Sequence, residues 1–212
     1  MKTCIFDLDG TLLNTIDDLA NAVNYALRQN AMPEHTVDEV RWMVGNGVRT
    51  LMRRALPADA DDELYEKAYA DFQVYYKEHN LDFTRPYDGI IPLLAALKER
   101  GVKMAVVSNK IDTATKPLVK HFFGDYIDVA VGDTPDVQNK PAPDMVFKAI
   151  RELGETPENC IYIGDSNVDL ETAQNAGLPC ISVLWGFRDR KFLEGVGATM
   201  FAETPMEIVN ML

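Results

Sequence analysis

Two aspartates follow a short apolar segment near the start of the chain, within the sequence FDLDGT at residues 6–11. The preceding residues have the apolar character of a buried strand, so Asp7 and Asp9 fall where that strand ends. Because residues i and i+2 of a strand point to the same side, the two carboxylates can share one crevice. One carboxylate can attack an electrophile while the other moves protons. The segment therefore indicates paired-carboxylate catalysis rather than an acidic surface turn.

Three more polar segments come directly after a predicted strand or before a predicted helix. The sequence SNK at residues 108–110 follows one apolar run, and DSNVD at residues 165–169 follows another. The sequence NKPAP at residues 139–143 precedes a helical pattern, where proline is tolerated in the first turn. In an open α/β sheet the ligand crevice lies beyond the carboxyl ends of the strands. We therefore expect these segments to meet residues 6–11 at one site.

The elements that must position these residues alternate between strand and helix. Short, nearly continuous apolar runs are typical of buried parallel strands, and they predict strands at residues 2–7, 103–108, 127–132, 160–164 and 180–184. Helical patterns lie between them at residues 89–101, 113–124, 143–154 and 168–177. The alternation predicts an α/β fold with a doubly wound (Rossmann-like) parallel sheet core and right-handed crossovers.

Residues 15–82 break this alternation, because they offer helix-like runs and no convincing strand. The insertion begins and ends close to the tip of the first strand. We predict a small helical cap domain at residues 15–82, inserted after the first strand, and a Rossmann-like catalytic core made of residues 1–14 and 83–212.

In this order, the sequences FDLDGT, VVSNK, KPAPD and GDSNVD resemble the four motifs of the haloacid dehalogenase-like (HAD) hydrolase superfamily. The resemblance covers nearly the whole chain, and the helical insertion is similar to the small cap of the phosphoglycolate phosphatase-like branch. The resemblance implies a Mg²⁺-dependent phosphatase that acts through an aspartyl-phosphate, with 2-phosphoglycolate as the leading substrate.

The acidic residues then divide into reactive groups and metal ligands. Asp7 is the candidate nucleophile, and Asp9 is the candidate general acid and base. Magnesium takes hard oxygen ligands, so we expect the carboxylates of Asp7 and Asp165 to bind it. The resemblance adds the main-chain carbonyl of Asp9 as a ligand. It also implies that Asp169 orients Lys140 or a metal-bound water.

Phosphoryl transfer mostly requires positioning and neutralisation of charge on the phosphoryl oxygens. We expect the Ser108 hydroxyl, the Asn109 backbone N–H and the Lys140 ammonium group to bind the phosphate. Gly10 lets the backbone approach the ligand closely. The histidines of the chain lie outside these segments, so a histidine base is not expected.

The sequence VGNGVR at residues 44–49 interrupts the helical pattern of the predicted cap with two glycines. We predict that Asn46, Gly47 and Arg49 meet a substrate carboxylate when the cap closes. The alternative is an ordinary helix boundary with solvated arginines.

The same site suits other reactions. A phosphomutase similar to β-phosphoglucomutase would return the phosphoryl group to a sugar, and pyrophosphate or a nucleotide could be hydrolysed in the same place. Phosphonoacetaldehyde hydrolysis requires a cap lysine for a Schiff base, whereas Lys67 and Lys77 lie in ordinary helical contexts. A non-catalytic, phospho-accepting regulatory protein is a remote alternative, since it would need neither Asp9 nor the insertion.

Composition limits the partners and the compartment. With 33 acidic and 21 basic residues the chain has a formal net charge of −12, which argues against binding to nucleic acid or an anionic membrane. We expect a small phosphorylated metabolite as partner and a monomer or homodimer.

The three cysteines form no CxxC pair and predict buried free thiols. No signal peptide or membrane-length apolar run is apparent, so we expect a cytoplasmic protein.

Overall fold

The computed structural model describes residues 3–212. Its strands are β1 Thr3–Phe6, β2 Leu13–Asn14, β3 Arg85–Pro86, β4 Met104–Ile111, β5 Val129–Asp133, β6 Cys160–Gly164, β7 Cys180–Val183 and β8 Phe201–Ala202. Its α-helices are α1 Ile16–Gln29, α2 Val37–Met43, α3 Gly47–Ala55, α4 Asp62–His79, α5 Ile90–Glu99, α6 Asp112–Phe123, α7 Asp144–Leu153, α8 Asn167–Ala176, α9 Arg190–Gly195 and α10 Pro205–Met211. A short 3₁₀ helix spans Pro157–Asn159.

The chain divides into two compact units. The sheet unit comprises the residues up to Leu13 together with Pro86–Leu212, and the helical unit comprises Asn14–Arg85. These boundaries lie close to the predicted ones at residues 14/15 and 82/83. That the helical unit acts as a cap stays a prediction.

A six-stranded parallel sheet forms the centre of the sheet unit, with strand order β5-β4-β1-β6-β7-β8. The predicted α/β fold with a parallel sheet core is confirmed. Strand β1 lies between β4 and β6, with Phe6 paired to Val106 on one side and to Ile163 on the other. Because all these strands run in the same direction, the polar residues that follow β1, β4 and β6 emerge at one edge of the sheet.

Both faces of the sheet are buried, which explains the continuous apolar runs in the sequence. One face packs against α5, α6 and α10 through residues such as Phe6, Leu94 and Phe123, and the other packs against α7 and α8 through Ile5, Tyr162 and Ala149. Cys4 and Cys160 are buried and form no disulfide, as expected, and Cys180, also outside any disulfide, is only partly buried.

Amphipathic helices form the helical unit. In α1, residues Leu19, Val23 and Ala26 are buried at spacings of three and four positions, and α4 buries Ala68 and Phe72 at a similar spacing. Asp18, in the first turn of α1, is buried and accepts hydrogen bonds from the backbone N–H groups of residues 83 and 84. These bonds fasten the two ends of the helical unit to each other.

The carboxyl-terminal elements are absent from the sequence prediction. Strand β8 and helices α9 and α10 are short, and β8 contributes only Phe201 and Ala202 to the edge of the sheet. A two-residue strand carries too little pattern to be recognised. Across the described part of the chain, the helices are too short or too polar to cross a lipid bilayer.

Candidate active site

Lys140 lies at the centre of a buried ionic cluster beyond the strand ends. Its Nζ donates to Asp7 Oδ1 at 2.7 Å and to Asp169 Oδ1 at 2.8 Å. The side chains of Lys140, Asp7 and Asp169 are 3%, 11% and 1% exposed, respectively. Nζ has a third acceptor at 3.1 Å, the hydroxyl oxygen of Tyr162 in β6. Residues that are distant in sequence, from motifs one, three and four, therefore meet at one ammonium group.

The backbone around Lys140 is held by Asn109, at the carboxyl end of β4. The Asn109 side chain accepts a bond from Lys140 N at 2.8 Å and donates one to Lys140 O at 3.0 Å. The Lys140–Pro141 peptide bond is cis. The sequence predicts only that the Asn109 backbone N–H binds phosphate. The structure gives the Asn109 side chain a second task, which is to fix the loop that carries Lys140.

Asp169 is held by four donors. Besides Lys140, its Oδ1 accepts from Tyr162 at 3.2 Å, while Oδ2 accepts from the Ser166 backbone N–H at 3.1 Å and from the Ser166 hydroxyl at 2.6 Å. Ser166 and Asp169 form the capping box of α8. Because both oxygens are already occupied by these donors, Asp169 is better suited to orient Lys140 than to bind a metal ion.

The Asp165 carboxylate is hydrogen-bonded at both oxygens and packs closely against two glycines. Its Oδ1 accepts from the Thr11 hydroxyl at 3.2 Å, and its Oδ2 accepts from the Phe187 backbone N–H at 2.7 Å. A Cβ on Gly10, which has φ +89°, would overlap the Asp165 carboxylate, and a Cβ on Gly186 would overlap the Asp165 side chain and the Gly10 carbonyl. Only glycine fits at these two positions, so the backbone itself fixes the carboxylate.

Burial and crowding of like charges disfavour the ionised carboxylates. Burial, and next the negative charge of Asp169, raise the pKa of Asp7 well above its ordinary value, although Lys140 opposes this effect. The same two causes raise the pKa of Asp165 to about 7. Burial alone would lower the pKa of Lys140, but the charges of Asp169 and Asp7 outweigh it and raise that pKa well above its ordinary value. The two aspartates therefore favour the positively charged form of Lys140.

The cluster fits a hard divalent cation. Carboxylate oxygens of Asp7, Asp165 and Asp169 lie within 4.8 Å of one another. Since the oxygens of Asp169 already accept from Lys140, Tyr162 and Ser166, Asp7 and Asp165 are the two carboxylates available to a cation. The donors are all oxygens, the ligand type preferred by Mg²⁺ over softer metals. The raised pKa values of Asp7 and Asp165 point the same way, since a nearby cation would relieve the repulsion that causes them.

Lys110, beside this cluster in the sequence motif SNK, contacts both Asp9 and Ser108. Lys110 Nζ lies 3.1 and 3.3 Å from the two oxygens of Asp9, and the Lys110 backbone N–H donates to Ser108 Oγ at 3.2 Å. Ser108 is 2% exposed. Asp7 and Asp9 thus have separate lysine partners, although only one residue separates them.

The predicted substrate residues of the cap make contacts inside the helical unit. Arg49 Nη1 donates to Glu66 at 3.1 Å, and its guanidinium group lies 4.5 Å from the centroid of the Tyr69 ring. Asn46 Oδ1 accepts a bond from Arg54 at 2.9 Å. Gly47 begins α3 with φ +81°. The role of Asn46, Gly47 and Arg49 in binding a substrate carboxylate stays a prediction.

Several residues at the site were not assigned a role from the sequence. Lys110 belongs to the motif SNK, so its neighbour Ser108 could have drawn attention to it. Tyr162 lies inside an apolar strand, where its hydroxyl gives no pattern. The loop after β7 carries Trp185, which donates from Nε1 to Thr11 O at 2.9 Å, and Phe187, which holds Asp165. Gly186 and Phe187 contribute through their backbone atoms, and no pattern of side-chain types in the sequence predicts such contacts.

Known proteins are similar to nearly the whole chain. Residues 4–183 match the family model described as haloacid dehalogenase-like hydrolase. A phosphoglycolate phosphatase of Aquifex aeolicus is 35% identical over 188 residues, covering 88% of this chain and 86% of that protein. A phosphoglycolate phosphatase of Pseudomonas putida is 34% identical over 217 residues, covering 100% of this chain and 77% of that protein.

Solved structures share the fold. A candidate phosphoglycolate phosphatase of Lactobacillus delbrueckii superposes with a TM-score of 0.96 and 34% identity, covering 99% of this chain and 97% of that one. CbbY of Rhodobacter sphaeroides, solved in complex with phosphate, superposes with a TM-score of 0.74 and 25% identity, covering 98% and 96% of the two chains.

Proposed function

Since the chain belongs to the haloacid dehalogenase-like hydrolase family and is a phosphatase of that family, we propose that it hydrolyses 2-phosphoglycolate in a Mg²⁺-dependent reaction through an aspartyl-phosphate on Asp7. The observation that carries the mechanism is the contact of 2.7 Å between Lys140 and Asp7. A buried ammonium group beside a nucleophilic carboxylate can neutralise a phosphoryl oxygen as that carboxylate attacks.

In the first step an Asp7 oxygen attacks phosphorus, and the bond between phosphorus and the glycolate oxygen breaks. Asp9, two residues further along the chain, donates its proton to the departing oxygen, so that glycolate leaves as an alcohol. Ser108, the Asn109 backbone N–H and Lys140 bind the phosphoryl oxygens, and Gly10 lets the backbone after Asp9 approach the ligand closely.

In the second step a water molecule attacks the phosphorus of the aspartyl-phosphate. Asp9, now ionised, takes a proton from this water, and the bond between Asp7 and phosphorus breaks. Inorganic phosphate is released, Asp7 is again a carboxylate and Asp9 again carries a proton. One residue thus serves as acid and then as base, and no histidine is required.

The cation would be held by the carboxylates of Asp7 and Asp165 and by the main-chain carbonyl of Asp9. When bound, Mg²⁺ supplies positive charge that offsets the negative charge of the phosphoryl group and orients it. Asp169 keeps Lys140 directed at Asp7, and the loop around Gly186 keeps Asp165 in place. These contacts keep the residues of the cluster in place while the charges of the reacting groups change during the two steps.

The choice of 2-phosphoglycolate rests on the relatives named as phosphoglycolate phosphatases, which cover most of the chain. This substrate carries a carboxylate in addition to the phosphate. Asn46, Gly47 and Arg49 are the groups we propose for that carboxylate. Arg49 now pairs with Glu66 at the surface, a contact that costs little to exchange for a substrate anion.

A panel of phosphorylated metabolites tests the proposal. The purified protein is assayed for phosphate release from 2-phosphoglycolate, sugar phosphates, nucleotides and pyrophosphate, with Mg²⁺ and with a chelator. We expect 2-phosphoglycolate to give the highest kcat/KM and the chelator to abolish turnover. A sugar phosphate that is isomerised without net release of phosphate would replace the proposal with a mutase.

The variant Asp7→Asn removes the nucleophile but keeps the size of the side chain. We expect turnover to fall by at least about a thousandfold while the thermal unfolding transition is retained. Wild-type activity in this variant would show that Asp7 is not the nucleophile.

A further inference from the structure

Lys110 is a second buried cation at the site, and the roles described above do not use it. It lies at the carboxyl end of β4, two residues after Ser108. Its side chain is 4% exposed, and its ammonium group contacts both oxygens of Asp9, at 3.1 and 3.3 Å. The Asp9 side chain is 15% exposed. A lysine that sits this deep and contacts both oxygens restricts the orientation of the carboxylate.

The backbone of Lys110 is fixed from both sides. The ladder between β4 and β5 shifts register between Val107 and Ile111, which redirects the side chains at the end of β4. The Lys110 N–H donates to Ser108 Oγ, and the Thr115 hydroxyl donates to the Lys110 carbonyl at 3.0 Å. The lysine is therefore directed toward Asp9 by its own strand end and by the first turns of α6.

The two buried lysines divide the carboxylates between them. Lys140 contacts Asp7 and Asp169, whereas Lys110 contacts Asp9. Without Lys110, the carboxylate of Asp9 could turn toward the charge of Lys140, away from the position from which it exchanges protons. Misplacement of a reacting group by about 1 Å can cost roughly a hundredfold in rate.

We propose that Lys110 is a positioning residue that holds the Asp9 carboxylate in the orientation required for proton transfer, an inference that rests on the acid and base role proposed for Asp9. One Asp9 oxygen carries the proton to the leaving alcohol and later accepts one from water. The other oxygen keeps the contact with Lys110 through both steps. Lys110 itself neither gains nor loses a proton.

A double-mutant cycle tests whether Lys110 acts through Asp9. The kcat/KM for 2-phosphoglycolate is measured for the wild type, Lys110→Met, Asp9→Asn and the double variant. We expect Lys110→Met to lower kcat/KM by about a hundredfold, within the range that general acid catalysis contributes. In the Asp9→Asn background the same change should cost less than about threefold, because the carboxylate that Lys110 positions is gone.

A comparison of leaving groups distinguishes a positioning role of Lys110 from a purely structural one, because a structural defect would lower kcat/KM equally for both substrates. The p-nitrophenolate anion departs without a proton, and kcat/KM reports the steps up to its departure. For p-nitrophenyl phosphate, Lys110→Met should therefore lower kcat/KM by less than about threefold. The later attack by water still needs Asp9, so we expect a burst of nitrophenol followed by slow turnover.

Two further variants serve as controls. Lys110→Arg keeps a cation that can pair with a carboxylate and should restore at least part of the activity. Lys103→Met is the same change at a residue just before β4, at the other end of this strand, where the lysine pairs with Glu155 and is 47% exposed. The Lys103 variant should keep wild-type kinetics on both substrates.

The outcomes separate this inference from the proposed function. A loss for Lys110→Met that is undiminished in the Asp9→Asn background, or equal for both leaving groups, would overturn the positioning role. A rise of tenfold or more in the inhibition constant of inorganic phosphate would do the same, since it would mean that Lys110 binds the phosphoryl group directly. If Asp9→Asn alone leaves turnover of 2-phosphoglycolate intact, the proposed role of Asp9 fails first.

Discussion

The buried lysines of the sheet unit and the exposed arginines of the helical unit both pair with carboxylates, but in opposite surroundings. Lys140 is 3% exposed and contacts two aspartates, which are themselves nearly buried. Arg49 and Arg53 are 62% and 49% exposed, and their partners Glu66 and Asp62 are exposed as well. Exposed pairs of this kind contribute little to stability and exchange partners readily.

This difference separates two kinds of function. A buried pair that loses one partner leaves an uncompensated charge, so its geometry is rigid and suits the reacting groups. An exposed arginine can leave its carboxylate for a ligand anion, which suits recognition of a substrate.

Replacing Lys140 with Met should have the largest effect on activity and on stability. We expect kcat/KM to fall by about a thousandfold or more, because the cation beside Asp7 is lost. Since Asp7 and Asp169 would be left buried without their partner, the free energy of unfolding should fall by about 3 kcal/mol in the absence of Mg²⁺. Steady-state kinetics and urea denaturation measure the two effects.

Lys103→Met is the matched control, since Lys103 pairs with Glu155 in a half-exposed position. Its effect on unfolding should stay below about 1 kcal/mol. Equal losses of stability in the two variants would contradict the distinction between buried and exposed pairs.

Replacing Gly186 with Ala should displace Asp165. The added Cβ would overlap the Asp165 side chain and the Gly10 carbonyl. Because contacts that orient metal ligands typically contribute 10- to 100-fold, we expect the apparent affinity for Mg²⁺ to fall by about that factor. Titration of activity with Mg²⁺ measures this affinity.

Gly195→Ala provides the comparison for this variant, since a Cβ at Gly195, at the end of α9, meets no atom within 4 Å. It should leave the Mg²⁺ dependence unchanged. Unchanged Mg²⁺ dependence in the Gly186 variant as well would mean that Asp165 tolerates displacement.

The response of the protein to Mg²⁺ should depend on pH. In the metal-free protein the pKa of Asp165 is raised to about 7, so the folded state holds this proton more tightly than the unfolded state does. The stability that this proton contributes is complete at low pH and is lost as the pH rises through about 7. Mg²⁺ competes with the proton, and its apparent affinity should fall by up to about tenfold per pH unit below that value.

Thermal unfolding with and without Mg²⁺, at about pH 6 and about pH 8, tests the direction in which the Mg²⁺ affinity changes with pH. The rise in Tm caused by Mg²⁺ should be larger at the higher pH. An equal rise at both values, or a larger one at the lower pH, would mean that Asp165 does not release a proton when the cation binds.

Replacing Arg49 with Ala should have the smallest effect on stability, below about 0.5 kcal/mol, because the Arg49 pair is exposed. If Arg49 binds the substrate carboxylate, KM for 2-phosphoglycolate should rise by about tenfold while kinetics with p-nitrophenyl phosphate change little. Arg53→Ala, on the same helix, is the control. Equal effects of the two variants on KM would remove Arg49 from substrate recognition.

The strand ends were predictable from sequence because parallel strands carry a local signal and the fold places ligands at their carboxyl ends. Asp7, Lys140 and Asp169 could be assigned to one site for this reason. Their distances could not, since Lys140 and Asp7 are 133 positions apart and meet only in the folded chain.

Other contacts left no readable pattern. The pair of Lys110 with Asp9 lies at a register shift at the end of β4, and Asp165 accepts a hydrogen bond from the Phe187 backbone N–H. The Tyr162 hydroxyl is hidden in an apolar run that predicts only a strand. Short terminal elements such as β8 were missed because two residues carry no periodicity.

The most direct test of the mechanism is to trap the phosphoryl group on the protein. The enzyme is mixed with 2-phosphoglycolate and Mg²⁺, quenched in acid within one turnover and digested, and the modified peptide is located by mass spectrometry. We predict one phosphoryl group on Asp7 and none in the Asp7→Asn variant. Phosphate release by the wild type without a modified Asp7, or a phosphoryl group on another residue, would contradict the assignment of Asp7 as nucleophile.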